Sequence, residues 1–227
     1  MTAPSSRPRS GPAVEARSPD RHVAVLVVIL TVNAGRLEVL LIRRSAVPFK
    51  DSLSLPGGLL NAGESLELAA VRKLDDETGV SDVFLEQLYT FSDLDGRGSI
   101  AVAYFALVDI SAVHLARRRE WLPGWFPLDE LPQLAFRNDE VIDYALHRLR
   151  AKLDYSNVAY SLLPADFTLS QLQRTYEAIL SRPLDKRNFR KRILSLAIVE
   201  PTGRVAGEGR HRPAQLYSFR ERKPVVF

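Results

Sequence analysis

The chain has no cysteine in its 227 residues, one methionine and only four histidines. Without thiols there is neither a disulfide framework nor thiolate catalysis. Four scattered histidines give no spacing for a structural zinc site. Long apolar runs are scarce as well. The longest, Val23 to Val32, has ten residues, about half of what a membrane-spanning helix needs. The N-terminus, Met1-Thr-Ala-Pro-Ser-Ser-Arg-Pro, lacks the apolar centre of a signal peptide. These absences lead to the expectation of a cytoplasmic protein without a membrane partner.

What is present reads as globular: 46% of the residues are hydrophobic and 26% charged. The length suffices for one large domain and one small one, each with its own core. Charge is unevenly spread. Residues 155–227 carry 13 Lys+Arg against 6 Asp+Glu, whereas residues 21–154 carry 15 against 19. A small basic domain beside an acidic larger one points to a polyanion partner for the small one.

Residues 1–20 are rich in Pro, Ser and Arg without an apolar period, and read as a disordered tail. Val23–Val32 and Leu37–Arg43 are expected strands joined by Asn33-Ala34-Gly35-Arg36. The first is apolar on both faces and so is expected at the centre of a sheet. Short strands are expected at 52–55, 88–91 and 99–108, the last two around the turn from Asp93 to Gly98. A helix is expected over 65–78 and another over 138–153, the latter with Val141, Ile142, Ala145, Leu146 and Leu149 on one face. A domain boundary is expected at about 154–161, dividing a domain over 21–154 from one over 155–227.

The most specific signal lies between Gly58 and Val80. After Gly58 come five residues and Glu64, then seven and Arg72, then Lys73-Leu74-Asp75-Asp76-Glu77, and finally Gly79-Val80. Positions 73, 76 and 77 share one helix face. The spacing resembles the Nudix box. In active Nudix hydrolases those three positions are glutamates that hold Mg²⁺ or Mn²⁺ against a diphosphate. Here position 73 is Lys and position 76 is Asp. The resemblance therefore implies lost hydrolysis and no required cofactor, with at most a residual weak Mg²⁺ site on Asp76 and Glu77. It leaves a pocket for a nucleoside diphosphate, with Gly57, Gly58, Arg72, Lys73, Arg43 and Arg44 as ligand-binding candidates. Phe49, Trp121 and Trp125 are aromatic residues that either stack on a base or pack on the core.

The C-terminal part opens with a capping box, Thr168 with Gln171, flanked by Phe167 and Leu172. The helix it starts is expected to bury Leu169, Leu172, Tyr176 and Ile179 and to end near Ser181-Arg182-Pro183. Asp185 is the N-cap of a second helix, with Leu184 and Phe189 flanking it. Two capped helices on a short turn make a helix-turn-helix. Phe189, Ile193 and Leu196 face the core, and Arg187, Asn188, Arg190 and Lys191 the opposite side. With Lys186 and Arg192 these are the candidates for DNA contact. Arg204 and the run Arg210-His211-Arg212, between glycines and the strand-like 214–219, suggest a wing touching the DNA backbone.

Together these motifs resemble the Nudix-related transcriptional regulators, the NrtR family, over about residues 21–222. The resemblance implies an α/β fold: a Nudix α/β/α sandwich with a mixed sheet, followed by an α+β winged helix-turn-helix domain. It implies a homodimeric repressor of genes for NAD synthesis or salvage, bound to a palindromic operator in double-stranded DNA and released by an ADP-ribose-type nucleotide. Two alternatives stand beside it. One is an active Nudix (ADP-ribose) pyrophosphatase with a basic C-terminal recruitment domain. The other is a DNA-binding protein whose Nudix domain is purely structural.

Overall fold

The computed structural model describes residues 22–78, 84–96, 98–115, 122–206 and 213–227, and the side chains of Glu77 and Thr78 fall outside the description. The expected disordered tail, Gly79-Val80, Trp121 and Arg210-His211-Arg212 lie outside the described residues.

The chain opens with the hairpin β1 (Val23–Asn33) and β2 (Arg36–Arg43). Its two turn residues, Ala34 and Gly35, have φ of 46° and 81°, and positive φ at both suits the twist of the flanking strands. Two short strands follow, β3 (Leu53–Ser54) and β4 (Gly57–Leu59), before the helix α1 (Leu66–Thr78). The Ser65 hydroxyl accepts from the Leu68 amide at 3.2 Å and so caps this helix.

Next come β5 (Phe84–Ser92), β6 (Ile100–Leu107), β7 (Pro123–Pro127) and the helix α2 (Asn138–Tyr155). β5 begins at Phe84, ahead of the expected Leu88, because Phe84 is buried edge-on against Phe105 at 5.1 Å and pairs with Leu107.

The first seven strands form one sheet, in the order β3-β2-β1-β6-β5, with β4 paired to β1 and β7 to β2. β1 and β6 run parallel and the other pairs antiparallel, so the sheet is mixed. β1 is central and buried on both faces, as its composition required. Val25, Val27 and Ile29 pack with Ala69, Ala70 and Leu74 of α1. Val28 and Leu30 pack on the other side with Val141, Ala145 and Leu149 of α2. Helix, sheet and helix thus make the expected sandwich.

The remaining elements are β8 (Phe167–Thr168), α3 (Leu169–Leu180), α4 (Lys186–Ser195), β9 (Val199–Ala206) and β10 (Ala214–Phe219). β10 lies between β8 and β9. The capping box forms as expected: Thr168 Oγ1 accepts from the Gln171 amide at 3.1 Å, and the Gln171 side chain accepts from the Thr168 amide at 2.7 Å. Asp185 caps α4 by accepting from the Asn188 amide at 2.8 Å. Pro201-Thr202-Gly203-Arg204 lies within β9. Gly203, with φ of 76°, lies among residues 202–204 of β9, which stand against Leu216 alone between the Gln215–Val205 and Tyr217–Pro201 pairs.

The two parts share one of their two apolar clusters, while the other, beside α1, lies wholly in the first part. A single apolar cluster runs from Val28 and Phe105 through Leu149 and Leu153 to Phe167, Leu172, Ile179 and Ile193. The reason is the apolar stretch Val158–Leu162 just after α2, a 3-10 turn buried at every residue. It fills the junction at the expected boundary, 154–161. Asn157 locks this junction, donating from its side-chain amide to the Glu221 and Lys223 carbonyls at 2.9 and 3.0 Å and accepting from the Val225 amide at 2.8 Å.

Candidate functional site

Two regions gather the candidate residues. The first surrounds the glycine pair ahead of α1. Gly57 is pressed against β1, where an added Cβ would lie 2.5 Å from the Val25 carbonyl oxygen. Only glycine fits there. At Gly58 a Cβ would meet Lys73, at 3.3 Å from Cε and 3.4 Å from Nζ. The Lys73 ammonium therefore lies directly over the loop backbone, and α1 delivers it there from one turn before Asp76.

Arg72 is placed differently from the expectation of a ligand-binding cation. Its guanidinium forms a two-pronged pair with Glu64, at 2.7 and 2.8 Å, and approaches Asp76 at 3.9 Å. The Arg72 hydrogen bonds, helped by the Asn61 amide and the Lys73 charge, hold the Glu64 carboxyl well below its usual range, at about 2. Glu64 thus stays ionised and committed to Arg72.

Among the described side chains this donor set does not fit a divalent cation. Such an ion needs several free carboxylate oxygens converging at one point. Glu64 is engaged by Arg72, Asp76 faces the same guanidinium, and Lys73 adds a positive charge. Among the described residues no three acidic or histidine side chains converge. Asp75 is exposed, and the Glu77 side chain lies outside the description.

Arg43 and Arg44 brace the 44–52 loop. Arg43 Nη1 donates to the Asp51 carbonyl at 2.8 Å and Arg44 Nε to the Pro48 carbonyl at 3.1 Å. Burial lowers the Arg44 pKa. Its guanidinium lies 4.5 Å from the centre of the Phe136 ring, and Phe136 meets Phe49 edge to face at 4.8 Å. Trp125 packs on the core beside α1.

The second region is α4. Lys186, Arg187, Asn188 and Lys191 are exposed, as expected of a DNA-reading face. Two other candidates make contacts with neighbouring elements. Arg190 is half-buried, donates to Ser170 Oγ at 3.2 Å, and its Nε is sealed off without a partner. Arg192 reaches back to α2, 3.3 Å from the Asp154 carbonyl and 3.6 Å from its carboxylate. Arg190 was expected on the outer face, and packing against α3 recruits it instead; Arg192 stays exposed beside α2. Arg204 pairs with Asp166.

Behind α4 lies a cavity of about 300 Å³ between α2, α3 and α4, walled by Tyr176, Phe189 and Ile193. Burial, aided by Asp154 and opposed by Arg192, pushes the Tyr176 phenol up to about 12, so it stays neutral. Sequence reasoning missed the residues that join the two regions. Asn138 accepts from the Leu55 amide at 2.8 Å. Arg150 donates to the Ile179 carbonyl at 2.9 Å and to Ser181 Oγ at 3.0 Å. Both contacts span long stretches of chain, so no local pattern announces them.

Comparison with known proteins bears on both regions. Residues 20–146 match the model of the NUDIX domain, and residues 159–219 that of the NrtR DNA-binding winged helix domain. The chain is 37% identical over 210 residues to the ADPR responsive transcriptional repressor NtrR of Acinetobacter baylyi, covering 88% of this chain and 83% of that protein. The structure is similar to that of Shewanella oneidensis NrtR complexed with a 27mer DNA, with a TM-score of 0.77 and 35% identity, covering 87% of this chain and 93% of that one. It is also similar to the NUDIX domain of Shewanella oneidensis NrtR complexed with ADP ribose, with a TM-score of 0.52 and 34% identity over 58% of this chain and 90% of that one.

Proposed function

From the premise that this chain belongs to the NrtR family, a NUDIX domain joined to the NrtR winged helix, we propose that it is a transcriptional repressor that binds operator DNA and responds to an ADP-ribose-type nucleotide. Its genes serve NAD synthesis or salvage. Its operator is palindromic, because two copies of α4 in a symmetric dimer call for two-fold symmetric DNA. The protein works in the cytoplasm. The division of labour falls at about 154/155, with the nucleotide sensed before it and DNA bound after it.

The observation that carries the sensor reading is Lys73. Its ammonium lies over the Gly58 backbone, where a diphosphate needs positive charge and where a hydrolase would bring a carboxylate-held metal. Charge-assisted hydrogen bonds from Lys73, with the loop glycines allowing close approach, hold the diphosphate without metal. Glu64 and Arg72 are spent on each other. The chain therefore senses ADP-ribose and does not hydrolyse it. Arg187, Asn188 and Lys191, with Lys186, supply the DNA contacts.

Electrophoretic shifts on the DNA upstream of the chain's own gene test this. The protein should retard that fragment, ADP-ribose should release it, and NAD should serve as the comparison. Absence of a shift, or AMP release with Mg²⁺ at the rate of an ordinary Nudix enzyme, would overturn the reading.

A further inference from the structure

Among the described residues eight non-glycine positions have positive φ, and four of them fall in two facing loops: Phe49 (63°) and Asp51 (67°) between β2 and β3, and Phe136 (56°) and Arg137 (50°) ahead of α2. Left-handed backbone at bulky residues is strained, and such strain persists only where the surroundings impose it. Here it points two phenylalanine rings at each other. Phe49 and Phe136 meet edge to face at 4.8 Å, and the Arg44 guanidinium lies 4.5 Å from the Phe136 centroid. Phe49 remains 48% exposed. A loop without a task would place glycine or asparagine at such a φ and a polar side chain at such an exposure.

The corner is fixed relative to the glycine pair. Asp51 N–H donates to the Arg44 carbonyl at 2.9 Å, and Arg44 N–H to the Ser52 carbonyl at 3.0 Å. Leu53 bridges to Leu134. Asn138, buried at the start of α2, receives the Leu55 amide at 2.8 Å. Gly57 follows two residues later. From Ser52 to Gly57 the chain spans at most about 17 Å when extended, which keeps the corner on the same stretch of chain as the glycine pair.

We propose that Phe49, backed by Phe136 and Arg44, is the stacking platform for the purine base of the nucleotide whose diphosphate lies at Gly58 and Lys73. The proposal rests on the nucleotide-sensing reading and adds where the base is held and why the ligand must carry one. An exposed ring offers its face to a base irrespective of hydrogen-bonding pattern, so it supplies affinity, and the cation behind Phe136 strengthens the aromatic surface.

Calorimetry of ADP-ribose on the full chain tests it, with Phe49→Ala, Phe49→Asn and Phe49→Trp. Asparagine tolerates the positive φ and leaves the loop intact. Both Phe49→Ala and Phe49→Asn should weaken ADP-ribose by about tenfold or more, the usual loss of one base–aromatic stack. Phe49→Trp should stay within about threefold of the parent, given a preserved stacking face, and its added tryptophan emission should be quenched at saturation. Parental affinity in Phe49→Asn, or unquenched emission in Phe49→Trp, overturns the proposal. If the parent chain itself fails to bind ADP-ribose, the sensing reading falls first and the platform with it.

Discussion

Lysine at position 73 changes the chemistry of the loop more than the loss of one carboxylate would. A carboxylate there attracts a metal, whereas an ammonium repels one and attracts phosphate directly. Gly58 makes this possible, since Lys73 Nζ would sit 3.4 Å from any Cβ added to it. Glu64 and Arg72 pair with each other at the loop–helix junction. Because the Glu64 carboxyl is held at about 2 against an ordinary 4.5, its stabilising effect is complete above about pH 4.5 and fades only as pH falls towards 2. Ligand binding near neutrality should thus not titrate through it. Calorimetry should give the same ADP-ribose affinity with and without EDTA. Lys73→Glu should bind about tenfold or more weakly in EDTA, consistent with loss of a charge-assisted bond, and recover when Mg²⁺ is added. Binding by the parent chain that disappears in EDTA would contradict this role for Lys73.

α2 connects the two regions. Its 18 residues span about 27 Å. At its first residue Asn138 is tied to Leu55, two positions before the glycine pair. Three turns on, Arg150 is tied to the C-terminal end of α3 at Ile179 and Ser181, and near its end Asp154 meets Arg192 of α4. A shift of the 53–58 segment on ligand binding would therefore meet a rod whose far end is tied to α3 and α4. Coupling between two such sites is typically worth about 1–3 kcal/mol. Arg150→Ala should leave ADP-ribose affinity in the absence of DNA unchanged and lower the factor by which ADP-ribose weakens operator binding. Anisotropy titrations of the protein–operator complex measure that factor, and a parental factor in the variant would show that α2 transmits nothing through Arg150.

At the scale of the whole molecule, the basic charge of residues 155–227 sets the salt dependence of DNA binding, since each neutralised phosphate releases counterions. Only part of that charge is free to act. Lys186, Arg187 and Lys191 are exposed, whereas Arg190 is half-buried against Ser170 and Arg192, though exposed, lies against Asp154 of α2. Lys191→Ala should lower the slope of log affinity against log salt by about 1 for all sequences, and Arg187→Ala should cost about 1–3 kcal/mol and relax specificity at one base pair. Arg192→Ala should leave the slope nearly unchanged. Equal slope losses for Arg192→Ala and Lys191→Ala would place Arg192 on the DNA after all. The shared apolar cluster has a consequence at this scale too. With Val158–Leu162 buried between the two parts, the chain should unfold without a separately melting winged helix.

The elements were legible in the sequence wherever their cause is local. The two-sided apolar run of β1, the Thr168–Gln171 box, the Asp185 cap and the spacing from Gly58 to Glu77 all depend on neighbours within one or two turns, and their periods are written directly in the residue order. The same spacing placed Lys73 and Asp76 on one face of α1. It could not assign partners. Arg72 is taken by Glu64 and Arg190 by Ser170, so two of the expected binding cations are engaged inside the fold, and Arg192 pairs with Asp154 at the surface. Those pairings depend on how α1 closes over its loop and how α4 packs on α3 and α2. The facing of Phe49 with Phe136, and the tie of Leu55 to Asn138 across 83 positions, arise in the same way. A cation on a helix face is specified by period; whether it meets a carboxylate, a hydroxyl or open solvent is specified only by the elements that tertiary packing sets against it.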